Sequence, residues 1–363
     1  MKLNVLLVSL FLGSLLIGCN IDTKTIPFNN PNIVYQGRVD FKSDAAVFSW
    51  PGTSATLYFE GTSVSATLKD LDTANYYNVI VDDSVILKIH TDTIKQRYLL
   101  ASELSKGIHK IELFKRTEED KGKTLFYGFE SQDGLKIVLP AQIIGTKKRK
   151  IEFYGNSITC GYALEDSSSG DSGHGYFENN YLTYAAITAR YFDANYSCIA
   201  KSGIGILVSW FPIIMPEMYD RLDPTDSTSK WDFNQYTPDV VVINLFQNDS
   251  WIVNMPEYEQ FKNRFGSTAP DSAIIIAAYK SFVTSIRTKY PNVPIICALG
   301  NMDATRIGSP WPGYIQQAIT PLNDAKIYTC FFEFKNSPGH PNLKEQQVMA
   351  DQLIAFIKKE LNW

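Results

Sequence analysis

Between Ile33 and about Gly145, apolar and polar residues alternate in short runs. Ala55-Thr56-Leu57-Tyr58-Phe59, Val64-Ser65-Ala66-Thr67-Leu68, Tyr77-Asn78-Val79-Ile80-Val81 and Lys110-Ile111-Glu112-Leu113-Phe114 are examples. Every second side chain then falls on one face, which is the period of a half-buried strand. Polar pairs such as Glu60-Gly61 and Asp82-Asp83 punctuate the runs as turns do. No long stretch of this half follows the helical period. Many short strands without helices predict an all-β domain over 33–145, a β-sandwich of the jelly-roll kind. Such a module either binds sugar or supports its neighbour, and the pattern favours neither.

From Ile151 the rhythm changes. Short, unbroken apolar runs read as strands buried on both faces: Ile151-Glu152-Phe153-Tyr154, Asp239 to Leu245 and Pro294 to Leu299. Helix-like stretches separate them at Tyr181 to Phe192, Ser272 to Tyr290, Tyr314 to Asn323 and Lys344 to Leu361. The last sets Val348, Leu353, Ile354 and Ile357 near one face. Strand and helix in alternation predict an α/β domain over 151–363, a parallel sheet flanked by helices. Ligands on such sheets bind at the carboxyl ends of the strands. The break between the halves falls near Pro140 to Lys150, and a Ser/Gly/Asp-rich loop from Leu164 to Phe177 is placed to wall a site.

The first residues follow neither pattern. Lys2 precedes an almost wholly apolar run from Leu3 to Ile17, too short to span a bilayer and typical of a secretory signal. It ends in Leu16-Ile17-Gly18-Cys19, which resembles a bacterial lipobox. That resemblance implies a signal peptide over 1–19, acylation of Cys19 and a polar tether over 20–32. The expected product is an exported lipoprotein held by its lipid anchor to a membrane, at the outer membrane or cell surface. Of the other cysteines, Cys198, Cys297 and Cys330 follow or sit inside apolar runs, so buried free thiols are expected. With no CxxC pair, no zinc site is expected, and no other metal. The net charge of -4 and the absence of a basic stripe argue against a nucleic-acid partner. Lys147-Lys148-Arg149-Lys150 reads as a solvated turn.

Only four histidines are available for proton transfer. His90 and His109 fall in strand or turn contexts and read as structural. His174 shares a flexible loop with Asp171, but two loop residues make a poor metal site. His340 lies in Asn336-Ser337-Pro338-Gly339-His340-Pro341, after an apolar run and before the last helix, at the rim of the expected sheet. Ser157 lies in Gly155-Asn156-Ser157-Ile158, directly after the first strand of the α/β half. A serine there is either a nucleophile presented at a helix N-terminus, where its N–H stabilises an oxyanion, or simply the helix cap.

Four blocks decide the reading together. Phe153-Tyr154-Gly155-Asn156-Ser157-Ile158-Thr159, Ala200-Lys201-Ser202-Gly203, Gln247-Asn248-Asp249 and His340-Pro341 resemble, in order, the conserved blocks of SGNH hydrolases. Asn156-Ser157-Ile158-Thr159-Cys160-Gly161-Tyr162, Asn180 to Ala186, Met218 to Arg221, Lys230 to Phe233 and Pro238 to Asn244 are further similar to carbohydrate esterase family 2. The resemblance spans about residues 33–363. It implies a jelly roll followed by an SGNH hydrolase domain, and a cofactor-free serine esterase that removes O-acetyl groups from polysaccharides. It assigns Ser157 as nucleophile and His340 as base. The oxyanion would be held by the N–H groups of Ser157 and Gly203 and the Asn248 amide.

Three positions depart from the family pattern. The carboxylate expected two or three residues before the histidine is missing, since Ser337, Pro338 and Gly339 stand there. A Ser–His dyad is therefore expected, oriented by a backbone carbonyl or by Glu333. Phe246 replaces the usual glycine of the third block, where a bulky ring would narrow the acyl pocket or alter the backbone. Asn156 replaces aspartate in the first block. These departures keep open an alternative, a surface sugar-binding protein with a degenerate site. Trp251 and Trp311 are the candidates for stacking on a sugar, and Trp210 is ambiguous.

Overall fold

The computed structural model describes residues 24–131, 136–138, 149–168 and 170–363. The expected signal segment with Cys19, the start of the tether and most of the break near 140–150 lie outside the described residues.

The alternating half forms β1 (Lys24–Pro27), β2 (Val34–Gln36), β3 (Val39–Phe41), β4 (Ala46–Phe48), β5 (Ser54–Glu60) and β6 (Val64–Asp70), then β7 (Tyr76–Val81), β8 (Ser84–His90), β9 (Gln96–Ala101), β10 (Ile108–Lys115), β11 (Thr124–Ser131) and β12 (Lys136–Ile137). One antiparallel sheet runs β3-β4-β11-β6-β9 and the other β12-β5-β10-β7-β8. Their apolar faces close on one core that includes Phe48, Leu57, Leu68, Tyr77, Leu113 and Phe126. The sandwich begins earlier than the pattern implied. Of the expected tether, residues 24–27 form β1, which pairs with β11. Ile26 and Phe28 enter the core, so two apolar side chains two positions apart were enough to capture an edge strand.

The second half forms β13 (Arg149–Gly155), β14 (Ala194–Ala200), β15 (Val240–Asn244), β16 (Ile295–Leu299) and β17 (Ile327–Phe331). All pairs are parallel, in the order β14-β13-β15-β16-β17. Its helices are α1 (Ser157–Cys160), α2 (Tyr184–Tyr191), α3 (Met215–Met218), α4 (Gln247–Ile252), α5 (Glu259–Phe265), α6 (Ser272–Lys289), α7 (Trp311–Ile319) and α8 (Leu343–Leu361). Ala185, Ala189, Met349 and Leu353 of α2 and α8 pack on one face of the sheet. Tyr279, Phe282, Ile286 and Ile315 of α6 and α7 pack on the other. Val348 is exposed, and Met349 and Ala350 take the buried face of α8 in its place.

This strand order fixes where chemistry can occur. The chain leaves β13 for one side of the sheet and later returns on the other, so a crevice opens above the carboxyl ends of the central strands. In register, Gly155 at the end of β13 faces Ala200 of β14 and Asn244 of β15. The segments that follow these three strand ends carry Ser157, Gly203 and Asn248.

The two halves share a buried seam. Arg38 of the sandwich is 1% exposed and donates to the carbonyls of Tyr219 and Arg221 at 2.6 and 2.8 Å. Its guanidinium lies 3.7 Å from the Glu152 carboxylate of β13 and faces the Trp231 and Phe233 rings. Glu152 also accepts from the Ser197 and Tyr290 hydroxyls at 3.0 and 2.9 Å. Such bonds offset part of the cost of burying an ion pair, although Arg38 Nε takes no hydrogen-bond partner among the described residues.

Candidate active site

Ser157 is the first residue of α1, but it is not the cap. Asn156 holds that place, its Oδ1 accepting from the Ile158 N–H at 3.1 Å. The hydroxyl of Ser157 is thereby left free for another task, and Oγ lies 2.8 Å from His340 Nε2.

His340 is delivered by the start of α8. Asn342 caps this helix by accepting from the Lys344 and Glu345 N–H groups, and Glu345 accepts from the Asn342 N–H at 2.8 Å. Farther along, Gln346 donates to Ile158 O at 2.9 Å and accepts from Tyr184 N at 2.8 Å. These bonds tie α8 to α1 and α2, so the histidine and the serine are held to one frame.

The orienting acid expected to be absent is supplied from elsewhere. Asp171, from the loop after α1, places both carboxylate oxygens 2.9 Å from His340 Nδ1. Its Oδ1 also accepts from the His340 backbone N–H at 2.9 Å. Glu333 is exposed and takes no part. A carboxylate at Nδ1 assigns the imidazole proton to that nitrogen and leaves the lone pair of Nε2 facing Ser157. The hydrogen bond from His340 holds the Asp171 carboxyl below the ordinary aspartate range. The expectation of a bare dyad is corrected to a Ser157–His340–Asp171 array.

The loop bearing Asp171 closes on itself, since the Glu165 N–H donates to Phe177 O at 3.0 Å. The sandwich then fastens both ends. Lys88 donates to Glu165 and to Tyr176 O, each at 3.2 Å, and Arg116 donates to Glu178 O at 3.1 Å. His174 Nδ1 accepts from the Tyr176 N–H at 3.1 Å and caps a short turn. His90 binds Thr73 O, and His109 binds Asp82 and Ser105 O.

Gly339 makes room for the acid. It sits at φ +68°, and a Cβ there would lie 3.2 Å from Asp171 Cγ. Gly339→Ala is therefore expected to cost roughly 1–2 kcal/mol in the left-handed conformation. It should also push the carboxylate off the imidazole and lower kcat by about tenfold. Melting temperature and kcat on 4-nitrophenyl acetate measure the two effects; wild-type kcat would remove this role for Gly339.

Ser157, Gly203 and Asn248 line one cleft with His340, and each carries a donor. The N–H groups of Ser157 and Gly203 have no acceptor among the described residues. Asn248 Nδ2 spends one proton on Ile204 O at 2.8 Å, while its Oδ1 accepts from Trp210 Nε1 at 3.0 Å. The amide is thus fixed in orientation, with its second N–H available to the cleft. Asp249 beside it accepts from the N–H groups of Ile206, Leu207 and Val208 at 3.0, 2.7 and 3.1 Å and pins the loop after Gly203.

The cleft holds about 430 Å³ and is lined by Ser157, Tyr162, Asp171, Ser202, Gly203, Trp210, Phe211, Asn248, Trp251, Met302 and His340. Trp251 stands in this wall, with Nε1 donating to Asp303 at 3.1 Å. Trp311 does not reach it. The helix α7 begins at Trp311, three residues before the expected start, and the ring is buried against Phe246 with centroids 4.9 Å apart. Phe246 keeps the left-handed backbone a glycine would adopt, at φ 87°. Its ring turns into the core against Tyr279 and Trp311, so it does not narrow the cleft.

Comparison with known proteins gives a consistent picture. The domain family described as Carbohydrate esterase 2 N-terminal matches residues 35–140. The cellulase/esterase CelE of Acetivibrio thermocellus is 34% identical over 94% of this chain, which spans 41% of that relative's length. An acetylxylan esterase / glucomannan deacetylase of Cellvibrio japonicus is 25% identical, covering 94% of this chain and 92% of its own. Among solved structures, a family two carbohydrate esterase from Clostridium thermocellum in complex with cellohexaose superposes with a TM-score of 0.80 at 33% identity. That match covers 91% of this chain and 99% of the other. A family two carbohydrate esterase from Cellvibrio japonicus shares the fold, with a TM-score of 0.82 at 23% identity, covering 94% of this chain and 98% of the other.

Proposed function

The chain belongs to carbohydrate esterase family 2, a family of carboxylic ester hydrolases, and on that premise we propose that it removes O-acetyl groups from polysaccharides or their oligosaccharides through an acetyl-Ser157 intermediate. The observation that carries this reading is the 2.8 Å contact between Ser157 Oγ and His340 Nε2, in a cleft where Gly203 and Asn248 present unspent donors.

Each step uses a group of this chain. His340 Nε2 takes the Ser157 proton as Oγ attacks the acetyl carbonyl carbon. The carbonyl oxygen becomes an oxyanion, held by the N–H groups of Ser157 and Gly203 and the Asn248 amide. Asp171 stabilises the imidazolium that forms, without taking its proton. The imidazolium returns the proton to the departing sugar oxygen, leaving Ser157 acetylated. Water, deprotonated by the same nitrogen, attacks the acetyl carbon; the bond to Oγ breaks, acetate leaves, and the imidazolium returns its proton to Ser157 Oγ. The substrate class follows the relatives, one named for acetylxylan and glucomannan, another seen with cellohexaose. The rings of Trp210, Phe211 and Trp251 offer faces on which a sugar could lie.

Two features support the esterase reading over a degenerate sugar-binding site. Asp171 provides the acid, and Phe246 points away from the cleft. The test is acetate release from acetylated xylan and acetylated glucomannan by the chain lacking residues 1–19. Parallel samples are pretreated with diethyl 4-nitrophenyl phosphate, which phosphorylates an activated serine. Release that the reagent abolishes is the expected result. No release from either polysaccharide or from 4-nitrophenyl acetate would overturn the proposal.

A further inference from the structure

Glu118 belongs to the sandwich half, in the segment joining β10 to β11, yet its fully buried side chain lies beneath the catalytic loops. Oε1 accepts from the Ser202 hydroxyl, and Oε2 accepts from the Ser202 N–H at 2.5 Å. Cys160 Sγ donates to the same Oε2 at 3.6 Å. Ser202 directly precedes Gly203, and Cys160 is the last residue of the short helix that Ser157 begins. One carboxyl group therefore touches both segments that supply backbone donors to the oxyanion.

The Gly203 segment is tied elsewhere too, by the Trp210 N–H to Gly203 O at 3.0 Å, by Asn248 Nδ2 to Ile204 O at 2.8 Å and by Lys201 Nζ to Glu119, but among the described residues the bonds to Ser202 itself come from Glu118. The Ile204 N–H reaches Lys201 O at 3.3 Å, and the Lys201 N–H reaches Gly155 O at 3.4 Å. Glu118 is itself held from several sides. Its N–H donates to Glu178 Oε2 at 3.1 Å, and Lys115 Nζ donates to its carbonyl at 3.0 Å. Lys121 Nζ sits 3.2 Å from the other oxygen of Glu178 and 2.8 Å from Asp120. The neighbouring carboxylates thus already carry an internal cation. A group so enclosed, with its bonds directed at one loop, is suited to fixing that loop's backbone.

We propose that Glu118 is a positioning residue that the sandwich domain contributes to the oxyanion pocket, setting the Gly203 and Ser157 N–H groups through Ser202 and Cys160. This rests on the esterase reading of the same site. It also makes the N-terminal domain part of the catalytic frame, whether or not that domain touches substrate. Because the oxyanion forms only as the reaction proceeds, loosening its donors lowers kcat more than it changes KM.

The test measures kcat and KM on 4-nitrophenyl acetate for wild type, Glu118→Ala, Glu118→Gln and Ser202→Ala, with Ser157→Ala as control and melting temperature recorded for each. Glu118→Ala is expected to lower kcat by about tenfold to 100-fold with KM changed by less than about threefold. Gln keeps an acceptor for the Ser202 N–H and a donor for its hydroxyl, and should hold kcat within about threefold of wild type. Ser202→Ala removes one contact from the other side and should lower kcat by about fivefold. Wild-type kcat in either alanine variant would overturn the proposal, as would a loss carried by KM. If Glu118→Ala does not fold, Ser202→Ala still decides. Ser157-dependent hydrolysis with unaffected variants removes only this inference; no hydrolysis by wild type removes the esterase reading beneath it.

Discussion

Ser157→Ala is expected to lower kcat on 4-nitrophenyl acetate by about 10⁴- to 10⁶-fold, and His340→Ala by a similar factor. The two groups act as one unit. Without Oγ there is no acyl acceptor, and without Nε2 the hydroxyl keeps its proton, so the double variant should be little worse than either single one. The fold should be indifferent to the loss of the hydroxyl, because Asn156 and not Ser157 caps α1. Residual activity above the uncatalysed rate would come from the donors of Ser157, Gly203 and Asn248, which the substitution leaves in place. Kinetics of the two single variants and the double variant, with melting temperatures within a few degrees of wild type, check this. A Ser157→Ala protein retaining a tenth of wild-type kcat would mean that a different nucleophile operates.

The architecture was legible wherever one strand carries its own pattern. Alternation located the sandwich, and the buried apolar runs located β13, β15 and β16. Each of the conserved-looking blocks at a strand end proved to lie on the same crevice, because parallel strands deliver their carboxyl ends to one side. What stayed hidden depends on contacts across the chain. Asp171 is 169 residues from His340, in a loop without period, where the sequence offered it only as a poor metal partner for His174; the left-handed Gly339 that makes room for it is visible only in the structure. Glu118 gave no signal, because its partners Ser202 and Cys160 belong to the other half. Trp311 was misplaced for a local reason. The helix was expected only from Tyr314, whereas proline in the first turn opens a helix, and the earlier start of α7 turns the indole into the core. Phe246 could not be read from composition, since a left-handed backbone turns its ring toward Tyr279, away from the cleft.

Asp171→Asn is expected to lower kcat by about 10³- to 10⁴-fold, more than Asp171→Ala, for which about 100- to 1,000-fold is expected. The order follows from the donors that the carboxylate serves. Oδ1 accepts from the His340 backbone N–H, and both oxygens face Nδ1. An asparagine has one acceptor oxygen for these two demands. If it serves the backbone N–H, its amino group faces Nδ1 and forces the imidazole proton onto Nε2, where it blocks transfer from Ser157. Alanine leaves a gap at a site where the aspartate side chain is 37% exposed, so water can enter, and either tautomer stays accessible. A merely structural tie between loop and histidine would reverse the order, since asparagine preserves more of the packing than alanine. The acid limb gives a second sign. The Asp171 carboxyl titrates below its ordinary 3.8 in the folded protein because His340 donates to it. Its contribution to stability is therefore complete above about pH 4 and is lost only as the pH falls through the lower, folded value. Wild type should keep the loop tied to the histidine at pH 4, whereas Asp171→Ala lacks that tie at every pH, so the two melting curves should converge only in stronger acid. An asparagine variant within tenfold of wild-type kcat would show that Ser157 and His340 need no acid, and that Asp171 only fastens a loop.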